Sequence, residues 1–542
     1  MVLDDFKKLP KEHQLEIYKE LKEKQSAHKA LMGHRCSEDV KINWKLWVDL
    51  TKRLKFLYKD KKEADRFMRY LSFKMECAAY QEEVGVKLDV DLVHKCIETL
   101  TQQQEEKVTE LAKAMPPRKI YKTKERPKNL FKKDGTPSTH GQRWFDLLDE
   151  LGLDRTHDEP IKVLDKEEEA NPGSSDQVKD WLFSLGWQPC TFDYKKNDDG
   201  SERAVPQVRD DGELTESVKL LIDDNPAVAI LDGLTVIQHR LSIFQGFLEK
   251  AVQKDDGWYV KAEIGGLTNT LRMKHSKPMV NLPGIDKILG KEVRGSIIAP
   301  EGKIFCGSDM TSLEDTTRRH YVKPLDPDYV AKQSEPGYDP HLDLAVKAGM
   351  CSEKDFEFYK WAKESYSLND EQKARLKAIT AVRKKAKVVT YSATYGVGKV
   401  KLARSTGMSE EEAAKLLKAF WELNWAVKRV AETATIRKIG GQMWVYNPVS
   451  RFWISLRYER DAFSSLNQST GVFCFDSWLA QLWKRGVKGS FQAHDEILFV
   501  TEDEVWTDKV LKDSIEAVNN TLELNVPLSV DAKYGRSYAD VH

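Results

Sequence analysis

Apolar positions recur at three- and four-residue spacing through the first 110 residues, as at Trp44, Trp47, Leu54, Leu57 and Tyr58, so this region reads as charged helices. Helical periodicity returns as a block from about 340 to 440, and between these regions strands and helices alternate from about 240 onward. Two short apolar runs break the helical rhythm: Ile304-Phe305-Cys306, and Ile497 through Val500. Each reads as a strand beside an acid, Asp309 just after the first run and Asp495 just before the second. The end of the chain reads as strand-rich. Residues 193–214 are polar and rich in Asp and Gly, a loop or hairpin, and the serines of Asn171-Pro-Gly-Ser-Ser can cap the helix ending near Gly186.

Length allows two to four structural units around a large core. Lys+Arg and Asp+Glu are equal at 86 each, so no global basic excess advertises a nucleic-acid partner, although binding depends on where charge sits. Residues 113–133 hold nine Lys/Arg against the single acid Glu125, with Pro116, Pro117 and Pro127 opposing a helix. Two readings stand for this stretch: an exposed solvated loop, or an arm that tracks a phosphate backbone. Seven cysteines without a C-x-x-C pair argue for a reducing cytosol. The start is not a signal peptide, and no apolar run reaches the roughly 20 residues of a membrane helix, so a cytoplasmic protein without a membrane partner is expected.

Asp309 lies at the carboxyl end of its strand, and Asp495 lies in Gln492-Ala-His-Asp-Glu496, a hairpin with its acids at the turn. If the two strands are neighbours, the carboxylates can bridge two Mg²⁺ ions roughly 4 Å apart. Either Asp alone is equally a cap or turn residue. Between them, Arg383, Lys387, Tyr391 and Tyr395 recur every four residues, on one broad helical face about 18 Å long. Cations toward the amino end would meet phosphates where the helix dipole also favours anions, and the aromatics further along would stack on a base. The competing reading is a basic amphipathic helix with core tyrosines. Gly396 and Gly398 mark its end.

In this order the three stretches resemble motifs A, B and C of family A (polymerase I type) DNA polymerases, as used by bacteriophages for replication. Further segments are similar: Arg272 ahead of Pro278-Met-Val-Asn-Leu-Pro283, Arg294 through Pro300, Asp339-Pro-His341, Arg460 with Gln468-Ser-Thr-Gly, and the thumb-like segments at Tyr80–Gly85 and Asn171–Asp176. The resemblance spans roughly residues 68–542. It implies an α+β right-hand fold with a helical extension at 1–67, a thumb at 68–235, a palm at 236–330 and 441–542, and fingers at 331–440. It also implies metal-binding Asp309 and Asp495 with the backbone of Met310 and assistance from Glu496. Arg383, Lys387 and His341 would hold the triphosphate, with Lys387 as general acid, and Tyr391 and Tyr395 would line the sugar and base pocket. Arg272 and Gln468 would probe the minor groove, and Arg460 and His494 would support primer or template.

The chain departs from the family pattern at Met310, Ser312, Asp315, Thr316 and Ser464, which puts sugar contacts and fidelity, not metal chemistry, in question. A single-subunit RNA polymerase is the nearest rival. Glu314, five residues after Asp309, would crowd a ribose 2′-OH and favours the DNA enzyme. A non-catalytic accessory would have lost Asp309, Asp495 or Lys387, and all are present. About 67 helical residues precede the thumb match, so no proofreading exonuclease is expected, and primer-template DNA, dNTPs and a separate exonuclease subunit or processivity factor are the expected partners.

Overall fold

The computed structural model describes residues 10–197, 199–210, 213–365, 367–394 and 396–542. At its centre is a four-stranded antiparallel sheet in the order Phe491–Ala493, Glu496–Thr501, Ile304–Met310, Val530–Gly535. Alternation along Ile304–Met310 sends Phe305 to one face and Cys306 and Met310 to the other. Phe305 joins Phe491, Leu498, Tyr538 and Val541 on the first face, together with Phe244 and Phe247 of helix Leu234–Lys250. Met310 packs with Ile497, Phe499 and the fully buried Trp478 under helices Ala462–Lys484 and Glu504–Leu522. Each such large side chain contributes about 1.5–3 kcal/mol when withdrawn from water. Gly307 is needed where the last residues cross the sheet, because a Cβ there would stand 2.9 Å from Val541. The chain end, expected to be strand-rich, thus alternates two long helices with its strands, because the apolar face of each helix is what covers the sheet.

Helix Val90–Ala114 packs against Leu234–Lys250, and residues 115–233 form an excursion between the two. Pro226–Lys250 is long and apolar enough, by composition, to cross a membrane, which corrects the reading of the sequence. Its Ile237, Leu241, Phe244 and Phe247 are buried in the protein core. Within the excursion Arg118–Lys124 is a strand, not a loop, paired antiparallel with Ile161–Glu168. Pro116, Pro117 and Pro127 exclude a helix, and they bracket a run whose Ile120, Tyr121 and Thr123 favour extended backbone. Ser174 caps helix Ser175–Ser184 through the Gln177 amide, and Phe192–Lys196 pairs with Glu202–Pro206 as a hairpin.

Among the described residues, eight helices follow the central strand, from Leu313–Val322 to Trp425–Thr433. Three begin with reciprocal capping boxes, Ser352 with Asp355, Asn369 with Gln372, and Ser409 with Glu412. Helices Pro340–Lys347, Asp370–Ala393, Lys399–Thr406 and Glu410–Leu423 share a core of Leu344, Ala386, Val389, Leu402, Leu416 and Phe420. Helix Lys11–Leu57 lies almost wholly in solvent and touches the body near Leu54 and Leu57.

Candidate active site

Asp309 is the penultimate residue of its strand and stands directly across the ladder from Glu496. His494 and Asp495 make the turn that precedes Glu496, and the Met310 amide donates to the Asp495 carbonyl at 3.0 Å, fastening turn to strand. His494 adopts a left-handed φ of 67°, a conformation that costs a non-glycine residue roughly 1–2 kcal/mol. The strain is maintained by the paired strands on either side and aims Asp495 toward the Asp309 strand.

Asp309 has much of its surface open to water, but it stands on the floor of a cleft with other acids around it. Loss of solvation, then repulsion from Asp495 and Glu496, push its carboxyl up to about 7. Burial also raises Asp495, reinforced by Glu496 and Glu314 and opposed by the Arg272 guanidinium. His494 is pushed down to about 4 by burial, with Arg272 and His275 adding repulsion, so its ring is neutral at pH 7. Glu496 accepts from the Tyr538 hydroxyl at 3.3 Å and lies 3.4 Å from His542 Nδ1, while its Oε1 is buried without a hydrogen-bond partner.

Crowded acids and an orphaned carboxylate oxygen are the donor chemistry a hard divalent cation relieves. Among the described residues no group of three or more His, Cys, Asp or Glu makes a ready cage. Mg²⁺ does not require one, since it is commonly held by one or two carboxylates together with substrate phosphates. The residues present fit the ion.

Arg272, Gln468, His494 and Asp495 line one cavity, with Glu314 at its edge. Glu314 also lines the adjoining cleft with His341, Thr390 and Tyr391. A third cavity holds Asp309 beside Arg272, Asp495 and Glu496. The expected minor-groove probes, sugar gate and carboxylates therefore converge on one connected region.

Helix Asp370–Ala393 carries the triphosphate candidates. Arg383 donates from Nε to Asp339 at 2.6 Å, and the other Asp339 oxygen accepts from the amides of His341 and Leu342. The buried His341 ring contacts Thr390 Oγ1 at 3.1 Å, and burial holds its pKa below the usual value. Lys387 is exposed and stands 5.9 Å from the Tyr391 ring, which in turn lies 5.8 Å from His341. Arg383 lies thirteen residues past Asp370, so the cations are not at the amino end. The dipole acts within the first turn, so attraction for a phosphate here would come from the side-chain charges themselves. Tyr395 lies outside the described residues. Gly396, at φ 74°, ends the helix with its amide on the Ala393 carbonyl.

Arg460 is exposed, 3.8 Å from Asp461 and with its guanidinium 4.8 Å from the Tyr458 ring. It stands beside Gly396, not among the residues lining the three cavities. Asn467 was not singled out in the sequence, yet it fixes the backbone at Glu314: its Nδ2 donates to the Glu314 carbonyl at 3.0 Å and its Oδ1 accepts from Thr317 at 2.9 Å. Its place next to Gln468 was the available signal. Tyr538, His542 and His275, whose Nε2 contacts the Gln492 carbonyl at 2.5 Å, carried none. Behind the cavity, Lys74 and Asp476 form a buried ion pair at 2.6 Å, and the Tyr70 hydroxyl donates to the same carboxylate.

Residues 352–540 match the family model described as DNA polymerase family A. The match includes the Arg383–Tyr391 helix and Asp495 and begins after Asp309. DNA polymerase I of Lactococcus lactis subsp. lactis is 24% identical over 418 residues, which cover 72% of this chain and 42% of that protein, so the chain spans about two fifths of its length. A solved structure described as the POL domain of Pol1 from M. smegmatis in complex with DNA primer-template and dNTP aligns with a TM-score of 0.56. Its identity is 17%, over 86% of this chain and 69% of that one. The chain thus has the α+β fold of a polymerase domain, and its segment 352–540 is matched as DNA polymerase family A.

Proposed function

We propose that the chain is a template-directed DNA polymerase that adds dNTPs to a primer 3′-OH and releases pyrophosphate. The observation that carries this reading is the convergence of Asp309, Asp495, Glu314 and Tyr391 on adjoining cavities between the central sheet and helix Asp370–Ala393. The central sheet serves as palm (236–330 and 441–542), the helices of 331–440 as fingers, and 68–235 as thumb, with 1–67 an extension.

Two Mg²⁺ ions held by Asp309, Asp495 and the Met310 carbonyl would supply activation of the primer oxygen and stabilisation of the leaving oxygen. The chain's own groups do the rest. Arg383, His341 and Lys387 hold the triphosphate, with the Arg383 guanidinium already fixed by Asp339. The primer 3′-OH loses its proton to solvent as its oxygen bonds to the α-phosphorus, the bond from that phosphorus to the β-phosphate oxygen breaks, and Lys387 gives its proton to the departing pyrophosphate. Tyr391 flanks the sugar and base, while Glu314 occupies the space a 2′-OH needs. Arg272 and Gln468 reach the minor-groove edge of the new pair, where acceptors are similarly placed for every correct pair. His494, neutral at pH 7, and Arg460 support primer and template, and Glu496 steadies the pair of aspartates.

Within the basic stretch, Arg118 pairs with Asp180 at 3.0 Å and Lys119 with Glu167 at 3.7 Å. The cations offered to a duplex backbone are therefore the exposed ones from Lys122 to Lys133. We assign the chain to a bacteriophage-type replicative lineage acting in the host cytoplasm. A separate subunit is the proposed source of proofreading. Primer extension with purified protein, Mg²⁺ and each dNTP or rNTP tests the reading. Templated dNTP addition without shortening of a mismatched primer is expected, and preferential rNTP addition or steady 3′→5′ trimming contradicts it.

A further inference from the structure

One arginine joins two parts of the chain that leave opposite ends of the Asp309 strand. Arg404, on helix Lys399–Thr406, donates from Nη1 to Glu202 at 3.0 Å, and its guanidinium carbon sits 4.3 Å over the Tyr194 ring. Tyr194 and Glu202 belong to the hairpin Phe192–Lys196/Glu202–Pro206. Its register places Tyr194 opposite Ala204 and Lys196 opposite Glu202, so Tyr194 and Glu202 share a face.

Phe305, four residues before Asp309, shares a core with Leu241 and Phe244 of helix Leu234–Lys250. That helix and Val90–Ala114 root the excursion through Leu111, Val218 and Leu234. Leu313, four residues after Asp309, begins the helical arm, in which Leu402 and Ala403 pack with Ala386 and Val389 of the phosphate-binding helix. The chain of packing contacts that leaves the Asp309 strand through both arms therefore closes at Arg404.

The opposite face of the hairpin carries a second signal. Lys195 stands directly across from Arg203, and both are exposed. Like charges facing each other across a ladder are destabilising, and an anion lying over them removes the repulsion.

We propose that this hairpin is a strap that latches onto Arg404 and retains the primer-template duplex, with Lys195 and Arg203 facing its phosphates. The proposal rests on the polymerase reading above and adds to it a built-in means of processive synthesis. The latch is solvent-exposed, with Arg404 and Glu202 side chains 42% and 48% accessible, so it is weak enough to open for loading.

The experiment is extension of a primed single-stranded circle with excess heparin added at the start, so that each product reports one binding event. Arg404→Glu or Glu202→Arg alone should shorten products roughly fivefold, the scale set by losing one exposed ion pair and one cation–π contact. Single-nucleotide insertion should keep the wild-type rate, since neither residue touches the cleft. The double charge swap Glu202→Arg/Arg404→Glu should recover most of the length. Lys195→Ser/Arg203→Ser should shorten products and flatten their salt dependence. Wild-type product lengths in both single variants would overturn the strap, and so would a swap no better than either single. Loss of insertion in the wild type itself would instead refute the polymerase reading, so the two failures are distinguishable.

Discussion

Arg383 reaches across from its helix to Asp339, 2.6 Å away, and the same carboxylate caps the helix that presents His341. One acid therefore fixes two of the groups assigned to the triphosphate. Asp339→Ala should leave the fold intact and raise the KM for dNTP about tenfold or more, by releasing an arginine that must then be ordered during binding. Pre-steady-state insertion over a range of dNTP concentrations measures it. Unchanged dNTP affinity would show that Arg383 acts independently of Asp339.

The sugar pocket makes a paired prediction. Glu314 lies where the two clefts join, and Asn467 fixes its backbone. Glu314→Ala should raise rNTP use relative to dNTP in single-turnover extension. In the proposed complex Tyr391, 61% exposed at the adjoining cleft, would offer a hydroxyl of its own beside the nucleotide sugar. A site that supplies its own hydroxyl discriminates weakly against a substrate lacking one. Dideoxynucleotides should thus compete nearly evenly with dNTPs in the wild type and be rejected by orders of magnitude in Tyr391→Phe. Equal discrimination in both proteins would mean that Tyr391 does not face the sugar.

The buried pair Lys74–Asp476 fastens helix Lys61–Val84 to the helix that carries Asn467 and Gln468. Removing one member strands a charge where water cannot reach, so Lys74→Met should cost about 3–5 kcal/mol in denaturant unfolding. Lys74→Met with Asp476→Leu should recover most of that loss. A Lys74→Met protein as stable as wild type would show that the pair is hydrated in solution.

Much of this was legible in the chain. Short apolar runs just before Asp309 and just after Asp495 placed the acids beside strands, and periodicity marked 340–440 as a helical block without resolving its separate helices. Partnerships were not legible, because periodicity shows which face is buried and not what covers it. Lys74 and Asp476 are 402 residues apart, and Tyr538 reaches Glu496 only once the end of the chain crosses the sheet. The place of the cations along their helix was legible as well: Asn369 and Gln372, the capping box that starts this helix thirteen residues before Arg383, are visible in the sequence.

Acid–base behaviour of the site follows from Asp309. Its carboxyl is pushed up to about 7 when folded, against roughly 3.9 unfolded. Between those values the folded chain holds a proton that the unfolded chain has lost, so metal-free stability should fall as pH rises from about 4 to about 7. Thermal unfolding in EDTA should show Asp309→Asn losing less stability across that window than wild type. Added Mg²⁺ should raise the wild-type Tm more at pH 8 than at pH 5.5, because at the lower pH it must displace a proton. A Mg²⁺ shift that is the same at both pH values would contradict the assignment.

The most direct measurement is Mg²⁺-dependent extension of a primed template by Asp309→Ala and Asp495→Ala, alongside their primer-template affinity. Affinity should stay near wild type, because it arises mostly from phosphate contacts elsewhere. Extension should fall to background in both variants at every Mg²⁺ concentration. Turnover above a few per cent of wild type in either one would contradict the central claim that these two carboxylates hold the reacting metals.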